Sequence, residues 1–240
     1  MLNGEGALKM TERPGTGMSF NETPLFFGID ADSIFAVLHE PADQSAEAAV
    51  VLCHALAEEK HWSHRVYVNF ARTMARAGVA VLRPDFRGEG ESDLPFEHSG
   101  VASRVRDTSA ALRWVQGSRP RVRRIILLGH RVGALVAAVA ASGMDTPPAG
   151  LVLWDPVLDG RAYMMQVLRQ HLAAQFTGGA VAPVDREMLL AGLLKGERLY
   201  IEGYGFGSPL VQELVESRWV DDARVWRQPT LLLEVSTLSE

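Results

Sequence analysis

The stretch from Ile125 to Ala134 constrains this chain more than any other. Ile125-Ile126-Leu127-Leu128 reads as a buried strand, Gly129 and Gly133 bracket three residues, and the small residues Val132–Ser142 continue as a helix. Two glycines so spaced between strand and helix match the G-x-S-x-G nucleophile elbow. There the glycines permit a strained turn that lifts the middle side chain above the sheet, beside a helix N-terminus. Here the middle residue is Arg131, flanked by His130 and Val132. A guanidinium stays protonated and cannot attack a carbonyl carbon.

The flanking sequence repeats the same alternation. Ala48–Cys53, Val79–Leu82, Arg124–Leu128, Gly150–Trp154 and Pro229–Val235 are apolar runs of the buried-strand type, and Pro24–Gly28 and Ser33–Glu40 form a pair around Asp30–Asp32. Helices are expected over Trp62–Ala77, where Val66, Phe70, Met74 and Ala77 share a face before Gly78, and over Ser103–Gln116 and Val132–Ser142. Strands alternating with helices define an α/β fold with a mostly parallel sheet covered by helices on both faces. Residues 21–159 make the core. Residues 160–227 break the rhythm and are expected as a helical cap insertion, 228–240 hold the last core strand, and 1–20 form a flexible leader.

Composition removes several function classes. The 240 residues carry 24 Lys and Arg against 29 Asp and Glu, a formal net charge of −5, so no electrostatic footprint for nucleic acid exists. No apolar run approaches the roughly 20 residues of a membrane span, and the first twenty residues contain no signal-peptide core. Cys53 is the single cysteine, which excludes an internal disulfide and fits a reducing, cytoplasmic setting. His61 and His64 lie one helix turn apart without a third ligand at fitting spacing, so neither metal nor cofactor is expected.

Other segments extend the elbow motif. Cys53-His54-Ala55-Leu56 ends a strand where an oxyanion-hole loop would donate an N–H, and Glu58-Glu59-Lys60 follows at the pocket mouth. Arg83–Asp93 reads as a D-x-R-G-x-G-x-S loop in which Asp85 and Arg87 fix a glycine turn. With Leu153-Trp154-Asp155-Pro156-Val157, Gly160, Tyr163–Leu172 and Ile201-Glu202-Gly203-Tyr204, these segments resemble the α/β-hydrolase superfamily in its serine aminopeptidase-like branch. More narrowly, they are similar to the second type of exosortase-A-system-associated hydrolase, which accompanies bacterial exopolysaccharide and protein-sorting genes. The resemblance implies an α/β-hydrolase-like fold and ester or acyl chemistry.

An orthodox triad cannot be assembled from these residues. Arg131 holds the nucleophile position; only Glu234 and Glu240 stand near the expected acid, with Leu238 closest to its slot. The last histidine is His171, inside the expected cap, and the C-terminal strand and helix that would carry the base are missing from the pattern. Substitutes for the triad are Cys53 with His54 or His130 as base, or a water oriented by His130 and Asp155. As a binding site, His54, Ala55, Leu56, Glu58, Glu59, Arg131 and Val132 would surround a small acyl, glycosyl or anionic ligand, with Arg131 as an anion clamp.

Three functions follow from this reading. The first is a catalytically degenerate binder of such a ligand, and the second an active hydrolase using an unorthodox group. The third is a scaffold acting through cap aromatics Tyr200, Tyr204, Phe206, Trp219 and Trp226. The last strand is also expected as an open sheet edge, a site for pairing in a homodimer unless covered.

Overall fold

The structure, a computed structural model, describes residues 18–176, 185–217 and 228–235. The expected leader up to residue 17, Trp219, Trp226, Leu238 and Glu240 lie outside these residues. A hairpin of β1 (Phe20–Ile29) and β2 (Asp32–Pro41) opens the fold. It is followed by β3 (Ala48–Cys53), α1 (Glu58–Arg76), β4 (Ala80–Pro84) and α2 (Val101–Ser118). Next come β5 (Arg124–His130), α3 (Val132–Ser142) and β6 (Gly150–Trp154). Between β6 and the final strand lie α4 (Gly160–Phe176), α5 (Arg186–Leu194), the hairpin β7 (Leu199–Ile201) and β8 (Tyr204–Phe206), and α6 (Ser208–Glu216). The chain then adds β9 (Thr230–Leu233).

Seven strands form one sheet in the order β1-β2-β4-β3-β5-β6-β9, parallel from β4 to β9 and antiparallel at the β1–β2–β4 side. Alternation along β3 sorts the core. Ala49, Val51 and Cys53 join the larger cluster with Leu112 of α2 and Leu135 of α3, while Val50 and Leu52 face Tyr67 and Ala71 of α1. The sheet is thus covered by helices on both faces. Strand β9 is its edge, with Leu231, Leu232 and Leu233 exposed.

Two elements differ from the expected boundaries for clear reasons. Helix α1 begins at Glu58, four residues before the expected start, because its first turn carries Glu58 and Glu59, which suit the positive helix end but show no apolar period. The β7–β8 hairpin stands in a region expected to be mostly helical. Its two strands have three residues each, too short for alternation to register, and the turn residues Glu202 and Gly203 have φ of 50° and 88°. Positive φ at both central positions is the two-residue turn that suits strand twist.

Backbone approaches backbone closely where α3 meets the loop after β3. A Cβ on Gly133 would run into the carbonyl oxygens of Cys53 and His54, and one on Gly129 into the α3 backbone at Ala134. Gly133→Ala should therefore destabilise the fold by about 3 kcal/mol through overpacking against backbone that cannot rotate away. Gly117→Ala, in α2 with nothing within 4 Å of the new methyl, should be neutral or stabilising by up to about 1 kcal/mol. Urea titration of both variants checks the contrast.

Candidate functional site

Strand β5 delivers Arg131 into the tight turn that opens α3. Its backbone sits at φ 55°, ψ −121°, a conformation that costs about 1–3 kcal/mol for a residue with a Cβ. Neighbouring elements hold it there. The Arg131 N–H donates to the Trp154 carbonyl at 3.0 Å, and its own carbonyl accepts from Ala134 N at 3.0 Å and Val157 N at 3.3 Å. The elbow is intact in backbone although its apex is not a nucleophile.

The guanidinium is clasped from three directions. Its Nε donates to Glu59 Oε1 and its Nη1 to Asp155 Oδ2, both at 3.1 Å. Its Cζ lies 5.6 Å from the Tyr163 ring centroid, within cation–π range, and Tyr163 Oη donates to Glu59 Oε2 at 3.1 Å. Burial alone would lower the Arg131 pKa, but the Glu59 carboxylate, then Asp155, outweigh it and raise it. Burial, then Glu59, pushes the Tyr163 phenol well above its ordinary value. Asp155 is itself fixed by its N–H to the Leu233 carbonyl of β9 at 2.6 Å.

The other candidate side chains have their own partners. His130 Nδ1 meets Tyr67 Oη of α1 at 2.7 Å, its ring lies 4.3 Å from that of Trp154, and burial, then Arg131, lowers its pKa to about 4. Asp155 makes its hydrogen bond to Arg131, so the geometry does not join it to His130. Cys53 is fully buried against Thr108 Oγ1, and burial pushes its thiol up to about 12. His54 bonds the Ala55 carbonyl through Nδ1 at 2.7 Å and accepts from Phe86 N through Nε2 at 3.2 Å. Burial, then Lys60, holds its pKa near 4. The Ala55 N–H donates to Tyr67 Oη at 3.1 Å, which engages one potential oxyanion donor, while Val132 is buried as the first residue of α3.

Leu56, Glu58 and Glu59 line a small solvent-open cleft with Trp62, Tyr163 and Glu202, so two of the three residues that hold Arg131, Glu59 and Tyr163, also form part of its wall. Among the described residues no group of three His, Cys, Asp or Glu side chains is placed to hold a metal ion, and no helix is long and apolar enough to cross a membrane. Sequence reasoning missed Tyr67 as the hub joining Ala55 and His130. The available signal was a tyrosine on the apolar stripe of α1, since a buried phenol needs a hydrogen-bond partner.

Under the site lies a buried ionic group. Glu89 pairs with Arg104 at 2.7 Å and Lys60 at 3.5 Å, and Lys60 reaches Asp85 at 2.7 Å. Burial alone would raise the Glu89 pKa, but Arg104, His54 and Lys60 pull it down to about 2. Arg87 bonds Asp107 and Asp32, each at 2.8 Å, and Gly88 and Gly90 take φ of 87° and 57°. The Arg83–Asp93 loop is thus a braced turn.

An elbow between β5 and α3, beside an oxyanion-type loop after β3, defines an α/β-hydrolase-fold protein. The family model described as serine aminopeptidase S33 matches residues 44–189, and the chain belongs to that family. Among solved structures it is similar to Est1E of Butyrivibrio proteoclasticus with ferulic acid bound, at 20% identity and a TM-score of 0.62, over 87% of this chain and 77% of that one. A Pyrococcus furiosus esterase is similar at 16% identity and a TM-score of 0.57, over 89% and 70%. Both likenesses speak to the fold. An uncharacterized protein of Rickettsia prowazekii (strain Madrid E) is 34% identical over 93 residues; the match spans 39% of this chain and 38% of that relative's length.

Burial makes the pH response of stability predictable. His39, His54 and His130 take up a proton near pH 4 when folded, against 6.5 when free. The unfolded chain binds more protons between those values, so stability should fall as pH drops from 6.5 towards 4. Glu89 should extend the loss as pH falls from 4.5 through about 2. His54→Gln, which keeps one donor and one acceptor, should flatten the limb between 6.5 and 4 by up to about 1.4 kcal/mol per pH unit. Denaturant titrations across that range read this slope.

Proposed function

We propose that this protein is a hydrolase-fold binder that holds a small acyl or glycosyl ligand in the cleft beside Arg131 and performs no serine-type turnover. One observation carries the reading: the elbow apex is a guanidinium held by two carboxylates and a tyrosine ring, where a nucleophile would need open space and a base. The anion-clamp version has less support, because an incoming carboxylate or phosphate would have to displace Glu59 or Asp155 from Arg131.

An active hydrolase of unorthodox type is the second reading, and the geometry weighs against it. A thiol pushed up to about 12 populates little thiolate at neutral pH, so Cys53 is poorly suited to attack. The water route needs Asp155 and His130 together, and each is engaged elsewhere. For a scaffold, Tyr200 offers exposed surface, whereas the rings of Tyr204 and Phe206 pack on Phe96 at 4.9 Å and 5.6 Å.

Purified protein should show no turnover of activated esters or thioesters above the uncatalysed rate, and Arg131→Ser should gain none, because the neighbouring His130 is bonded to Tyr67 and not free to serve as its base. Arg131→Ala should lower stability by about 1 kcal/mol, since Glu59 and Asp155 lose their shared donor. Wild-type turnover abolished by Cys53→Ala would overturn the binder reading in favour of thiol chemistry.

A further inference from the structure

We infer that a groove on the α1 face of the sheet takes a single unbranched alkyl chain ending in a carboxylate, at a site separate from the cleft beside Arg131 and independent of what fills that cleft. The two faces of the sheet are unevenly covered, although parallel strands are ordinarily buried on both. Helices α2 and α3 pack on one face. On the other, α1 leans over β2 and β4, and among the described residues no helix crosses β6 and β9. The gap between α1 and the β9 edge is an open groove of about 430 Å³. Ile126, Leu128, Val152, Leu231 and Leu233 form its floor, and Val66, Phe70 and Met74 its wall. Val66, Leu231 and Leu233 stay 47%, 53% and 43% exposed, so apolar surface remains here for a ligand to bury.

The chemistry of the groove selects its occupant. Tyr67 shows the groove only its ring, because its hydroxyl is engaged by His130 Nδ1 at 2.7 Å and by the Ala55 N–H at 3.1 Å. A peptide strand laid there would leave backbone N–H and C=O groups unpaired. Two turns of helix, about 10–12 Å across, would need about twice the groove's volume. An alkyl chain brings no polar group along its length, and the groove falls within the range of about 300–1,000 Å³ typical of small-ligand sites. Charge marks one end. Arg124 opens β5 two residues before Ile126, so strand alternation puts its side chain on the groove face, at the foot of the floor. It is exposed and, among the described residues, enters no ion pair, unlike Arg119, which Glu40 holds at 2.7 Å. A carboxylate ending the chain would meet this guanidinium where the groove opens to solvent.

The test is calorimetric titration of the full chain with octanoate, decanoate and decyltrimethylammonium, all below their micelle concentrations. Decanoate should bind about ten-fold more tightly than octanoate, since each further methylene leaves water for the groove. It should bind about three-fold more tightly than decyltrimethylammonium, a modest ratio because Arg124 is exposed. Val66→Gln/Leu231→Gln, at two exposed positions that line the groove and not the cleft, should weaken decanoate about ten-fold. Arg124→Gln should remove only the preference for the carboxylate. Circular dichroism confirms that both variants fold. Decanoate binding that survives the double substitution would place the ligand in the cleft beside Arg131, overturning the groove while supporting the binder reading. Affinity independent of chain length, decyltrimethylammonium binding as tightly as decanoate, or no binding of decanoate at millimolar concentration would each overturn the inference.

Discussion

The seating of α3 on the loop after β3 is the contact on which the site depends. It requires Gly133, whose missing Cβ leaves room for the carbonyls of Cys53 and His54. Once the helix is so close, the chain leaving β5 has a single residue between strand and helix in which to reverse, and Arg131 takes the strained backbone as a result. That geometry is indifferent to the side chain at its apex. It follows from two glycines and the register of β5 against β3 and β6. The elbow can therefore keep the form of a hydrolase site while presenting different chemistry.

A cation at a helix N-terminus opposes the macrodipole, and the fold meets that cost locally. Glu59 comes from the first turn of α1, where its charge suits its own helix, and Asp155 from the end of β6, anchored by β9. The Glu59 carboxylate thus acts twice, on Arg131 and on its own helix, while Asp155 holds Arg131 with its carboxylate and β9 with its backbone N–H. Beneath them, Glu89 and Arg104 form a separate ion pair that is almost wholly buried, with Lys60 bridging outward to Asp85. Removing one member would leave a buried charge uncompensated, which is far more costly than the pair is stabilising.

Much of the fold was legible because glycine spacing and apolar runs report local geometry directly. The strands β3, β5 and β6 and helix α3 follow from contiguous residues, and Gly78, with φ of 86°, ends α1 where a terminal glycine belongs. The elbow position of Arg131 was legible for the same reason. Its partners were harder to read, because Asp155 and Glu59 are 24 and 72 residues away and only the sheet order brings them together. The water route expected through His130 and Asp155 finds each side chain bonded elsewhere, His130 to Tyr67 and Asp155 to Arg131.

The clasp on Arg131 also bears on how the molecule assembles. Its three partners come from α1, the end of β6 and α4, so it cannot close until the parallel sheet has its order and α4 has docked. Contacts of that separation form late, after the loop-closure entropy of the sheet has been met. Loosening a contact that forms after the transition state leaves the refolding rate almost untouched and appears as faster unfolding. The residue that replaces the nucleophile would then act as a kinetic fastener, setting how long the assembled elbow persists rather than how quickly it forms.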